Sequence, residues 1–164
     1  MTLSQFNIRE IQPSDNPKIA KTIREILIEF GVPKIGSAYE DKELDTLSEA
    51  FNLEKAVYFI LEKNGFVVGG AGIRKLDNYN GNVCELQKMY FLSEARGLGL
   101  GNRMVDLCLK KAKEFGYKQC YLETMPYMIN ARKLYKKFGF SYMKDRMGDT
   151  GHFSCNLFMI KDLS

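Results

Sequence analysis

The chain has 164 residues, a formal net charge of +4, 45% hydrophobic and 27% charged residues. That suits one domain spanning residues 1–164, able to bury roughly 70% of its unfolded surface, with charge too small and dispersed for a nucleic-acid binder. Four cysteines without a Cys-x-x-Cys pair, beside a single histidine, argue against a metal cluster and for buried free thiols in a reducing cytoplasm, while residues 1–10 lack a signal-peptide core and no apolar run approaches the ~20 residues of a membrane span.

Residues 6–11 alternate and predict a first strand. Asn16 reads as a helix cap with Pro17 at the first helical position; Ile19, Ile23, Ile26, Leu27 and Phe30 share one face, and Gly31 and Pro33 stop the helix. Residues 36–41 read as a loop, and Leu44, Leu47 and Phe51 support a second, short helix. Strands follow at 56–61 and 66–73, joined by Asn64-Gly65, the signature of a type I′ hairpin. A turn-rich run at 77–82 leads into a strand at 84–92, a glycine loop at 96–101 and an amphipathic helix ending near Phe115, with Gly116 in the left-handed position past its end. The spacing then predicts a strand at 119–124, a helix at 128–138 closed by Gly139, and two strands at 140–145 and 153–160 connected through Gly148 and Gly151. The order β-α-α-β-β-β-α-β-α-β-β implies an α/β fold, a mixed and mostly antiparallel sheet flanked by helices.

Everything is organised around the strand, glycine loop and helix at 84–115. Glycines at 97, 99 and 101 let a ligand approach the backbone closely. Successive amides and the helix N-terminus add partial positive charge, a combination that binds phosphate or pyrophosphate. A tight turn needing glycine for geometry alone is the competing explanation. No Gly-Lys-Ser/Thr ending follows, so the loop is not a nucleotide-hydrolysing P-loop, and neither its spacing nor its place is that of a dinucleotide fingerprint.

Arg96-x-x-Gly99-x-Gly101 resembles the acyl-CoA-binding motif of the GNAT superfamily, the Gcn5-related N-acetyltransferases. The run Glu85-Leu86-x-Lys88-Met89-Tyr90-Phe91 before it and Asn130-Ala131-x-x-Leu134-Tyr135-x-x-x-Gly139-Phe140 after it are also similar to that family. The resemblance implies a bulged central strand that splays from its neighbour to admit the pantetheine arm of acetyl-CoA. Met89, Tyr90 and Phe91 would then pair with that arm. Arg96, Gly97, Leu98, Gly99, Leu100, Gly101 and Asn102 would hold the pyrophosphate, with Asn130 near by. A homodimer through the C-terminal strands is compatible with the family.

Amine acetylation needs a base for the amine, a donor for the oxyanion and a proton for the departing thiolate. Glu85 matches the base position of one branch of the family and Glu123 that of another; the choice stays open, as does the plain alternative of a strand glutamate facing solvent. Tyr135 occupies the family's general-acid position, or else is a core aromatic alongside Ala131 and Phe138. The oxyanion donor implied is the Met89 amide. Met128 stands where the family often has asparagine. His152, the one histidine, reads as solvated or structural, or as part of the acceptor site. The expectation is a cytoplasmic acetyl-CoA-dependent N-acetyltransferase acting by direct transfer on a small-molecule or peptide amine. It uses no metal and has no membrane or nucleic-acid partner. A non-catalytic acyl-CoA-binding module of the same fold is the alternative.

Overall fold

The computed structural model describes residues 3–164; Met1 and Thr2, part of the N-terminal stretch read as free of a signal core, lie outside the described residues. In chain order the elements are β1 (Phe6–Glu10), α1 (Asn16–Glu29), α2 (Leu47–Ala50), β2 (Val57–Lys63), β3 (Phe66–Lys75) and β4 (Val83–Phe91). Then come α3 (Leu100–Glu114), β5 (Gln119–Thr124), α4 (Ile129–Lys137), β6 (Ser141–Met143) and β7 (Leu157–Asp162). The strands form one seven-stranded sheet in the order β1-β2-β3-β4-β5-β7-β6. All neighbours are antiparallel except β4 and β5, which run parallel and pair only through Val83–Glu85 against residues 119–121. Beyond Glu85 the two strands part.

Both faces of the sheet are covered, so the central strands are apolar throughout rather than alternating. From β2, Phe59 and Leu61 enter a core under α3 with Met104, Val105, Cys108 and Ala112. Tyr58 and Ile60 point the other way, to Ile19, Ile23 and Leu27 of α1 and to Leu44 and Leu47. The α3 residues buried are those spaced three and four apart, and Lys110 and Lys113 face solvent. Asn64 and Gly65 have φ of +49° and +84°, as the type I′ turn requires.

Three local expectations change. Asn16 does not cap α1: it is the first helical residue, and its amide reaches across to Ser48 N and Glu49. The helix is started instead by a 3₁₀ turn over Pro13–Asp15. Asp15 is held there by two bonds from Arg9, at 2.8 and 2.9 Å, and by the Gln12 amide. The last strand begins at Leu157 rather than at 153, because Ser154 N donates to Gly36 O and Cys155 N to His152 O, which ties that segment to neighbouring loops. The penultimate strand, expected over 140–145, is only Ser141–Met143.

Candidate active site

Where β4 and β5 part, a cavity of about 610 Å³ opens between α1, α4 and the glycine loop. It is within the range of small-molecule sites, roughly 300–1,000 Å³. Of the residues singled out in the sequence, Glu85, Glu123 and Tyr135 all line it. So do Met89, Tyr90 and Phe91 from β4, Arg96, Gly97, Gly99, Gly101 and Asn102 from the loop, and Asn130 from α4. Leu98 and Leu100 do not: Leu98 packs against the α3 core and Leu100 is buried in it, so they can offer only their backbones.

The loop is built for close approach. Gly97 and Gly99 have φ of +73° and +78°, and a Cβ on either would meet nothing within 4 Å. Gly99 carries no side chain to cap α3, so the first amides of that helix have no partner within it. Arg96 is spoken for: its guanidinium makes two bonds to Glu29, at 2.7 and 2.9 Å, and one to Phe91 O. It lies over the Phe30 ring, and so fastens the loop to α1.

The central strand carries a bulge. Pairing with β3 slips between Gly70 and Gly72, and Lys88 sits at φ +52°, a left-handed conformation that costs a non-glycine residue roughly 1–2 kcal/mol. Tyr58 supports it: its hydroxyl donates to Lys88 O at 2.8 Å, and its ring fills the space that a Cβ on Gly70 or Gly72 would need. A trans peptide points its C=O and N–H in opposite directions, so the Met89 amide faces away from Tyr58. Tyr58→Phe leaves a buried carbonyl unpaired and should cost about 1–3 kcal/mol, read as a lower urea midpoint.

Residues 85, 87, 121 and 123 share one face of the sheet by alternation and register. Glu85 is 3% exposed, and its Oε1 accepts from Gln87 Nε2 at 2.5 Å. Burial, reinforced by the charge of Glu123, raises its pKa to about 7. Glu123 is differently placed: Oε1 accepts from Thr150 Oγ1 at 2.6 Å, Oε2 from the Tyr121 hydroxyl at 2.7 Å, and Arg146 Nε stands at 3.6 Å. Both of its oxygens are engaged. Tyr135 packs edge-on against Phe140, and burial holds its pKa above the ordinary phenol value, so it keeps its proton. His152 Nε2 meets Asp41 Oδ2 at 2.7 Å. Burial works against its charge, but the bond to Asp41 and that carboxylate's charge outweigh it and raise the pKa.

The sequence matches the acetyltransferase (GNAT) family over residues 20–140. The chain belongs to the GNAT acetyltransferase family. A similar relative is the uncharacterized N-acetyltransferase YjgM of Escherichia coli K12, 38% identical over 95% of this chain and 94% of that protein. Among solved structures, a GNAT-family acetyltransferase from Staphylococcus aureus Mu50 superposes with a TM-score of 0.83 at 24% identity, covering 97% of this chain and 99% of that one. The putative acetyltransferase yncA from Salmonella typhimurium, solved with its cofactor acetyl-CoA, gives 0.77 at 18% identity, over 98% and 95%. This GNAT chain is thus an acyltransferase with the family's mixed, splayed sheet.

Several residues of this GNAT site carry no signal strong enough to single out in the sequence. Lys88 has 2% of its side chain exposed and reaches Glu43 Oε1 at 3.1 Å and Asp41 Oδ2 at 3.3 Å. Arg74, from β3, donates to the same Glu43 oxygen at 2.8 Å. The clue available was a cluster of polar residues, Glu85, Gln87 and Lys88, inside a strand otherwise apolar enough to be covered on both faces. No helix among the described residues is long and apolar enough to cross a membrane.

Proposed function

We propose that this protein, as one domain over residues 1–164, transfers the acetyl group of acetyl-CoA to a primary amine of a small molecule or peptide by direct attack in a ternary complex. The observation that carries the reading is the buried Glu85 carboxyl, with a pKa of about 7, in the same cavity as Tyr135 and the glycine loop. A base near neutrality takes a proton from an ammonium group and can release it again. Acetyl-CoA would supply the activated acetyl group as a thioester. The residues present fit it: open space beside Gly97 and Gly99 and the unpaired first amides of α3 would receive its phosphates, and β4 at Met89–Phe91 would receive the pantetheine arm.

In this reading Glu85 is the base, the Met89 amide faces the developing oxyanion, and Tyr135, kept protonated by burial, donates to the departing sulfur. Glu123, with both oxygens engaged, positions Tyr121 and Thr150 rather than moving protons. Cys155 also lines the cavity, but burial pushes its thiol up to about 12, which disfavours a covalent acyl-enzyme. A purely ligand-binding module has no use for a buried, titrating Glu85, so the catalytic reading is favoured.

Two measurements test it. Acetyl-CoA at about 100 times its dissociation constant should stabilise the fold by roughly 2.7 kcal/mol, seen as a rise in melting temperature; no rise would remove the cosubstrate assignment. Tyr135→Phe keeps the ring packing and deletes the hydroxyl. Turnover should fall on the order of 10–10²-fold, the modest end of general acid catalysis, with acetyl-CoA affinity kept. Wild-type turnover in that variant would reduce Tyr135 to packing.

A further inference from the structure

A second cavity, of about 270 Å³, adjoins the first. Gln87 and His152 line both, and Arg74, Asp41, Glu43 and Thr150 complete most of the smaller one. Two buried polar atoms among the described residues lack any hydrogen-bond partner, and both belong to this cavity's walls: Arg74 Nε, a donor, and Gln87 Oε1, an acceptor. Their residues are 8% and 6% exposed. Leaving such groups unmet costs about 1–3 kcal/mol each, so a pair of them in one small cavity marks a place where a ligand completes the bonding.

The charges are arranged in depth. The cations come from the sheet and lie deep, with Lys88 and Arg74 side chains 2% and 10% exposed. The carboxylates that meet them come from the connection between α1 and α2 and lie further out, at 20% for Asp41 and 34% for Glu43. Those carboxylates are shared thinly. One Glu43 oxygen serves both Arg74 and Lys88, and one Asp41 oxygen serves both Lys88 and His152. Asp77, half exposed, stands 3.5 Å from Arg74. A guanidinium edge with a spare N–H beside a buried ammonium is a receptor for a carboxylate. Gln87, whose Nε2 already donates to Glu85, turns its free oxygen to a donor.

We infer that the acceptor is a small amino acid, its carboxylate taken by Arg74 Nε, with the Lys88 ammonium at the wall of the adjoining cavity, and its amino group brought by Gln87 Oε1 to Glu85. One spare donor and one spare acceptor in a cavity this small complement a molecule that carries an anion and an amine a few bonds apart. A long polyamine or a bulky aminoglycoside has the amine but not the anion. The inference rests on the acetyl-transfer reading and narrows it to one substrate class.

The test is thiol release from acetyl-CoA with free α-amino acids, each set against the matching amine without its carboxylate and the matching amino-acid amide. The best amino acid should exceed its decarboxylated counterpart in kcat/KM by at least ~10²-fold, because the site's buried polar groups are otherwise left unpaired. Arg74→Lys keeps the charge but removes Nε. It should raise KM for that amino acid about tenfold or more, with kcat and the acetyl-CoA dissociation constant held, and shrink the ratio between the paired acceptors. Equal or better use of amines lacking the carboxylate would overturn the inference while leaving acetyl transfer intact. An unaltered ratio in Arg74→Lys would overturn it too. Acetyl-CoA binding, by calorimetry, without transfer to any amino acid in the panel would overturn the inference alone, whereas failure to bind acetyl-CoA at all would overturn the acetyl-transfer reading with it. The comparison of acceptors on the unaltered protein decides the matter even where an Arg74 variant does not fold.

Discussion

Glu85→Gln should lower turnover roughly 10²–10⁴-fold at neutral pH, with the deficit closing as pH rises and the amine loses its proton unaided. In the unaltered protein kcat/KM should climb with pH through about 7, the value to which burial raises Glu85, and the variant should lack that limb. The same substitution makes a stability claim of definite sign. The carboxyl's usual pKa is 4.5 and its folded value about 7. Between those values the folded state therefore binds more protons than the unfolded one, and unfolding free energy falls as pH rises. Below pH 4.5 the group adds no penalty. Above pH 7 the full penalty is present, up to about 3 kcal/mol. Glu85→Gln should therefore be more stable than the parent at pH 8 and similar at pH 4, read from urea midpoints. A gain in stability together with a loss of rate is the behaviour of a group strained for its chemistry. Should Glu123→Gln instead show the pH-rescued loss, the base is Glu123 and the bonds it makes to Thr150 and Tyr121 must open during turnover.

Gly99→Glu or Gly101→Glu should abolish acetyl-CoA binding, measured by calorimetry. The two act differently. At Gly99 the space beyond Cα is open but φ is +78°, so glutamate adds about 1–2 kcal/mol of backbone strain and a negative charge at the mouth of the helix amides. At Gly101 a Cβ would come within 3.0 Å of Leu134, so glutamate also presses on α4. Gly116→Glu is the control for strain: it has φ +85° and open space but lies past the opposite end of α3. It should lose comparable stability and keep its affinity. Retained binding in both loop variants would remove the glycine loop from the ligand site.

The order and type of the elements were legible because hydrophobic periodicity and turn chemistry are local. Asn64-Gly65, Gly116 and Gly139 all take the positive φ their positions suggested. The α1 cap was misread for the opposite reason. Asn16 has the chemistry of a cap, but its amide goes to Ser48 and Glu49, far along the chain, and only the fold reveals that competition. The site divides the same way. Its spine, from Glu85 through the glycines to Tyr135, is nearly contiguous and carries a motif. Arg74, the pair Asp41 and Glu43, Thr150 and Tyr58 arrive from four separate segments, and what makes them matter is that one carboxylate oxygen or one bulge peptide lies between them. Lys88 could not be placed from its neighbours, since its φ of +52° is imposed by the slip against β3 and by Tyr58.

The sheet asks two different things of the folding chain. From β2 to β4 it is a meander in which each strand pairs with the next across a short connection, so contacts are local and loop-closure entropy is small, while β1 joins its edge across the long connection that carries α1 and α2. On the far side, β5 pairs with β7 rather than with its sequence neighbour β6. The halves meet along three residue pairs, Val83 with Gln119, Cys84 with Cys120 and Glu85 with Tyr121, and parallel strands joined by a crossover helix are slow to find each other. The β2–β4 meander is thus the part expected to form first. The seam at Cys84 and Cys120 should then close late, with α3 as its clasp, since the buried face of that helix shares one core with strands of both halves.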